Sequence, residues 1–349
     1  MKTRNTLIVG LAMLALASCS SDNDTIQDDS RTVTLDIPVE IYSSNNEVTS
    51  RAASQGDPGT SAEFKAPRYL YIYAFVKDKS TAGYELLTKT ITYKDDTEAS
   101  SNWTMQNEGE SNERWQKKER VTFKLSAEFD DQAELGSSRV YAIASRDDLS
   151  KLLTDDVVKT FTKLDSFKTT TIDLKSFSSD QLKDLYSTPY NDQSSPAQST
   201  DNGLIVSSTD GKSLTCSPVK LYHVAAKVDF TWQVATDKQD SVEVASITCT
   251  GVPTTCKVFV PTDNPTTDTT SCLVLGTTSE SAKPVNEVNT GNKWLGRAYA
   301  YMLQPSSGAI SYTVTYGGKA NKQSTTNTFT PSSLNKVFTG WYRVVANVK

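Results

Sequence analysis

At 349 residues and 38.2 kDa the chain is longer than one small domain, and about 100 to 200 residues per domain sets two as the expected number. It carries 36 Lys and Arg against 41 Asp and Glu, scattered along its length, so no basic stripe exists to track a phosphate backbone and nucleic acid is excluded as a partner. Serine (41) and threonine (45) make up about a quarter of the chain and apolar residues 37%, a balance that suits half-buried strands rather than thick helical cores. The single histidine, His223, excludes His-rich zinc sites.

The N-terminus reads as an address. Lys2 and Arg4 precede an apolar run from Leu7 to Ala17, about the length of a signal-peptide core and too short to span a bilayer. Leu16-Ala17-Ser18-Cys19 resembles the bacterial lipobox, so residues 1–18 are expected to be a lipoprotein signal peptide and Cys19 the lipidated residue. Its acyl chains would tether the protein to the outer membrane. Residues 19–31 are polar and acidic, with Asp22, Asp24, Asp28 and Asp29, and are expected to form a tether. An acidic stretch after the lipidated cysteine resembles the surface-export signal of Bacteroidota lipoproteins.

From Thr32 to Tyr42, Val33, Leu35, Ile37, Val39 and Ile41 alternate with polar residues and Pro38, the period of a half-buried strand. Pro38 lacks an amide hydrogen, which predicts a removable edge strand over 32–42. The loop 43–66 that follows is rich in Ser, Asn, Gly and Pro and holds Arg51 before Ala52, an open protease site. Tyr69 to Val76 is apolar or aromatic on both faces and predicts a central strand. Lys94 to Glu119, with Trp103 and Trp115, reads as a long surface loop. Strands are predicted at Val121 to Leu125 and at Val140 to Ala144.

Leu149, Leu152, Leu153, Val157, Phe161 and Leu164 recur at helical spacing, predicting a helix over 147–164. A shorter helix is expected from Ser179, as cap, to Tyr186. Tyr222 to Trp232 alternates as one long strand, with His223 exposed beside Lys227. Ile310 to Tyr316 and Tyr342 to Val348 supply the closing strands. The expected architecture is mainly β, with an N-terminal β-sandwich domain over 32–232 carrying one or two short helices and a C-terminal one over 238–349.

No catalytic constellation is present. Gly211-Lys212-Ser213 lacks the preceding glycine of a phosphate loop, since Val206 stands there. No nucleophile elbow, dinucleotide fingerprint or calcium loop appears, so no enzyme activity, metal or cofactor is implied. Cys216, Cys249, Cys256 and Cys272 form no metal-binding spacing; in an exported protein they are candidates for disulfides whose pairing the sequence leaves open.

The order of these landmarks resembles that of the fimbrillin family, the type V pilins of Bacteroidales. The lipobox, the strand with its arginine loop, the aromatic strand, Val140-Tyr-Ala-Ile-Ala144, Gly203-Leu-Ile-Val-Ser, Tyr222-His-Val-Ala-Ala-Lys-Val-Asp-Phe230, Val252-Pro-Thr-Thr, Tyr301-Met-Leu-Gln-Pro305 and Asn335-Lys-Val-Phe-Thr-Gly-Trp-Tyr-Arg-Val344 follow one another as in that family. The resemblance implies two transthyretin-like β-sandwich domains in tandem and a lipoprotein precursor. An arginine-specific protease would cut after Arg51, leaving Ala52 as the new terminus and removing Val33, Leu35, Ile37, Val39 and Ile41. A strand from another fimbrial subunit would then fill the groove.

The family's shaft subunits carry donor strands beyond the position of Tyr342 to Val348, and this chain stops at Lys349, so a tip or accessory subunit with a role in adhesion to host or bacterial surfaces is expected. A lipid-retaining anchor is the alternative. A surface glycan-binding lipoprotein, with Trp103, Trp115 and Trp294 as sugar platforms, is the rival class.

Overall fold

The computed structural model describes residues 31–42, 64–77, 84–108, 113–125, 138–159, 170–188, 202–207, 214–234, 243–259, 268–275, 294–303, 305, 309–318, 321–329 and 341–348. The signal peptide, Cys19, most of the tether, Arg51 and Ala52 lie outside the described residues.

The protein is mainly β, as its composition predicts. Its first sheet runs through β1 (Arg31–Tyr42), β2 (Tyr69–Lys77), β3 (Tyr84–Thr92), β4 (Thr104–Gln106), β5 (Arg114–Leu125), β6 (Arg139–Ser145), β8 (Leu185–Ser187), β9 (Ile205–Ser207), β10 (Leu214–Cys216) and β11 (Val219–His223), in the order β3-β2-β6-β8-β11-β1-β10-β9, with β5 on β1 and β4 on β5. The sheet folds over on itself, so Leu35, Ile37, Val39 and Ile41 of β1 share one core with Leu70, Ile72, Ala74 and Val76 of β2 and Val219 and Leu221 of β11. The opposite face of β2 is also covered: Tyr71, Tyr73 and Phe75 enter a second core, which explains its two-faced apolar sequence.

Gly203 fixes one corner of this unit. Its φ of +66° is a conformation that favours glycine, its carbonyl accepts from Val140 N at 2.8 Å, and a Cβ there would meet Val140 O at 2.1 Å.

The second unit packs a three-stranded sheet against a four-stranded one. The first is ordered β16 (Trp294–Met302), β12 (Ala226–Val234), β19 (Trp341–Val348); the second is ordered β15 (Thr269–Leu275), β13 (Glu243–Pro253), β17 (Ile310–Gly317), β18 (Lys322–Phe329). Val228, Phe230, Ala298 and Ala300 meet Ile247, Cys249, Ile310 and Val314 between the sheets. The core behind β2 joins the units, for Tyr73 and Tyr141 pack edge-on against Phe259, and β7 (Thr171–Asp173) pairs with β14 (Thr255–Lys257).

Several expectations are corrected. The long strand over 222–232 breaks at Val224 and Ala225, and β12 pairs with β16 and β19, so the first-domain boundary placed at 232 moves back to this break. The break also reverses the prediction for His223, which is buried: its Nδ1 lies 2.8 Å from Lys183 O and its ring packs on Tyr186. Lys227 is buried as well, its ammonium 4.2 Å from the centroid of Tyr299. Of the helix expected over 147–164, Leu149 to Leu153 form a turn and a helix follows at α2 (Asp155–Lys159), because Thr154 offers its carbonyl and hydroxyl as a cap; residues 160–164 lie outside the described residues. The next helix among the described residues, α3 (Ser179–Lys183), is capped by Ser178 rather than Ser179, in a reciprocal box with Gln181. The stretch Lys94 to Glu119 is not a single surface loop: Asp95 caps α1 (Asp96–Asn102), which delivers Trp103 into the first core, and β4 and β5 follow.

Candidate functional site

The expected edge strand β1 lies inside the sheet. Along one side it pairs antiparallel with β5 from Arg31↔Leu125 to Tyr42↔Arg114; along the other it runs parallel to β10 at Leu35 and Asp36 and to β11 at Val39 to Ile41. This corrects the edge position inferred from Pro38. Asp36 registers with Thr215 and Val39 with Val219, so Pro38 stands opposite the gap between β10 and β11, where its missing amide costs no ladder bond.

The inner row of β1 is the apolar one. Leu35, Ile37, Val39 and Ile41 are each at most 2% exposed. At about 1.5 to 3 kcal/mol per side chain, burying these four contributes roughly 6 to 12 kcal/mol before ordering costs. Val33 pairs with Phe123 through its backbone; its side chain lies outside the described residues.

The outer row is a set of cross-strand pairs with β5. Asp36 accepts from Arg120 at 2.8 and 3.1 Å and lies 3.0 Å from Lys118, and these two cations hold its carboxyl well below the usual carboxylate range. Glu40 accepts from Gln116 Nε2 at 2.8 Å and from the Tyr42 hydroxyl at 2.6 Å, with Arg114 at 3.8 Å. Thr34 and Thr122 share a hydroxyl bond of 3.2 Å. Tyr42 stacks on Tyr222 with centroids 5.3 Å apart, and burial followed by its bond to Glu40 raises its pKa above the ordinary value. Acids on β1 thus face a basic row on β5. Sequence reasoning missed these pairs: each strand's alternation was legible, but not that they are neighbours.

Among the described residues, the hydrogen-bonded neighbours of β5 are β1 and β4 alone. Lifting β1 out would therefore open a slot between β5 and β10/β11, with backbone groups unpaired on both walls, an apolar floor and a cationic rim. Such a slot fits a strand with apolar residues at alternate positions and acids in the places of Asp36 and Glu40.

The other candidate residues do not converge on it. Trp103 is buried and Trp115 is half-buried, donating from Nε1 to Phe64 O at 3.1 Å, so neither offers an open platform for a sugar. The Trp294 side chain lies outside the described residues. Cys216, Cys249 and Cys256 are buried and Cys272 is half-buried. Among the described residues no group of three His, Cys, Asp or Glu side chains is placed to hold a metal ion.

No protein-family model matches the chain, and no curated protein matches it. Solved structures do. A candidate adhesin from Bacteroides ovatus is 10% identical over 86% of this chain and 79% of its own, with a TM-score of 0.39. A candidate cell adhesion protein from Bacteroides fragilis is 12% identical over 90% and 93%, with a TM-score of 0.34. A second candidate adhesin, from Bacteroides ovatus ATCC 8483, is 11% identical over 96% and 98%, with a TM-score of 0.35.

Proposed function

We propose that this protein is a structural subunit of a cell-surface fimbrium, exported as a lipoprotein through Cys19 and assembled by strand exchange at the β1 slot. The observation that carries the proposal is β1 itself: the first strand among the described residues is paired on both sides and contributes four buried side chains to the first core. Its only covalent link to the rest of the fold is the segment that contains Arg51. A cut after Arg51 would turn β1 into a bound peptide, and its loss would leave two unpaired walls that a neighbour's strand satisfies.

The internal position sharpens this mechanism compared with an edge. An edge strand leaves one row of backbone groups behind, whereas β1 leaves two rows and an apolar trench, so an empty slot is strongly unfavourable and a filled one long-lived. The last strand, β19, is hydrogen-bonded to β12 from Trp341 to Val348 and so is committed to its own sheet. The proposed place is a tip or accessory position, with adhesion as its role and other subunits as its partners. In the lipid-retaining alternative Arg51 stays uncut and β1 remains in place.

Limited trypsin digestion of the chain from Ser20 onward, with mass mapping, tests the first step. Cleavage after Arg51 with the sandwich intact is expected, and Arg51→Ala should abolish that cut. Resistance at Arg51 while other sites are cut would remove the trigger and favour the anchor.

A further inference from the structure

The second sandwich brings together two cysteines that sequence spacing leaves unassigned. Cys249 on β13 and Cys272 on β15 stand directly opposite each other in the antiparallel ladder. Opposed residues on such strands point to the same face with Cα atoms about 4.5 to 5.5 Å apart, whichever kind of pair they form. A disulfide accepts Cα separations of about 4.4 to 6.8 Å. Both side chains turn toward one core, Cys249 fully buried in it and Cys272 packed against it. The register shifts on either side, between Ile247 and Thr248 and between Thr250 and Val252, so the ladder can adjust locally.

The remaining thiols are elsewhere. Cys216 sits in the first core with its Sγ 3.1 Å from Ser217 O, and Cys256 in the core that joins the units with its Sγ 3.3 Å from Lys257 O. With the four cysteines divided among three cores, one pairing of neighbours is left.

We propose that Cys249 and Cys272 form a cross-strand disulfide when the chain folds in an oxidising compartment. Arrival in that compartment rests on the export proposed above; the pairing itself does not. In the step, one cysteine thiolate attacks the disulfide of an oxidant, either an oxidase's or glutathione disulfide, forming a mixed disulfide. The second thiolate then displaces the oxidant's remaining sulfur. One protein S–S bond forms, two thiol protons are released, and the oxidant's S–S bond is reduced by two electrons to two thiols. Burial pushes the Cys272 thiol up to about 11 and that of Cys249 higher, so thiolate is scarce in the finished sheet. Once closed, the bond lies against the core and is shielded from reductants.

The chain from Ser20 onward, which carries four cysteines, tests this after refolding in a mixture of glutathione and glutathione disulfide. The product is denatured and alkylated with iodoacetamide without reduction. Two alkylated residues are expected, Cys216 and Cys256; Cys249→Ser should raise the number to three, and Cys256→Ser should lower it to one. Reduction should lower the melting temperature of the wild type by on the order of 10 °C, and should leave the Cys249→Ala/Cys272→Ala variant unmoved. Four alkylated residues in the refolded wild type, or a linked peptide containing Cys216 or Cys256, would overturn the pairing. Four free thiols in chain isolated from cells, beside two in the refolded chain, would count against export and leave the pairing standing.

Discussion

Replacing Ile37 with alanine tests whether β1 is an integral strand. Ile37 has no solvent exposure and sits in the middle of the inner row, between Leu35 and Val39. The change removes three carbons, worth about 2.4 kcal/mol of transfer free energy at roughly 0.8 kcal/mol each. A residual cavity of about 50 Å³ adds about 1.2 kcal/mol, for a total near 3.5 kcal/mol. For a unit of roughly 190 residues the unfolding entropy is about 0.4 kcal/mol/K, so the melting temperature should fall by about 9 °C. Scanning calorimetry together with urea titration measures this, and a midpoint shift at constant slope identifies a loss of stability rather than of two-state behaviour. Ile37→Val should cost about 0.5 to 1.5 kcal/mol, and Thr34→Ala on the exposed row under about 0.5 kcal/mol. An Ile37→Ala cost below about 1 kcal/mol would refute the placement of β1 inside the core.

Asp36 is held ionised by Arg120 and Lys118, so its folded-state pKa lies below its unfolded one; the stability it gives is complete above the ordinary carboxylate range and is lost as pH falls below it. Melting curves of Asp36→Asn should therefore diverge from wild type near neutrality and converge at low pH, and a pH-independent difference would contradict the pairing. Asp184 is the opposite case: burial, working against Lys183 and Arg146, raises its pKa to about 6. Its ionisation costs stability that the protein keeps below about pH 4 and loses as pH rises to about 6, up to about 3 kcal/mol. Asp184→Asn should therefore melt higher than wild type at pH 7.5, with the gain vanishing in acid; a loss at pH 7.5 would mean that the Arg146 pair outweighs burial. Gly203→Ala should cost more than about 2 kcal/mol, since it combines a left-handed backbone with the clash on Val140 O. At Gly251 the nearest atom is 3.7 Å from the added carbon, so alanine should cost only about 1 kcal/mol there; equal losses at the two sites, read by calorimetry, would argue against the Gly203 corner.

The period-two pattern of β1 and the two-faced apolar sequence of β2 were legible because each reports which faces are buried, and burial is a local imprint on sequence. The position of β1 was not. Pro38 argued for an edge, and only the pairing reveals that the gap between β10 and β11 absorbs the missing amide. The same limit hid His223: alternation carried it to the outer face, but α3 covers that face and the strand ends there. Trp103 and Trp115 looked exposed because the residues around them are polar, although α1 and β5 carry both toward the first core. Long-range partners decide such cases, and the row of Arg114, Lys118 and Arg120 against Glu40 and Asp36 appears only once β5 is known to lie beside β1.

Exchange of the strand itself tests the account most directly. The chain from Ser20 onward is cut after Arg51, mixed with a fluorescent peptide of residues 31–42, and followed by anisotropy and by mass spectrometry of the native complex. The labelled strand should replace resident β1 in cut protein and leave uncut protein untouched, and a peptide carrying Ile37→Asp should not enter. Failure of the peptide to enter cut protein, or equal entry into uncut protein, would contradict the claim that cleavage converts β1 into an exchangeable strand.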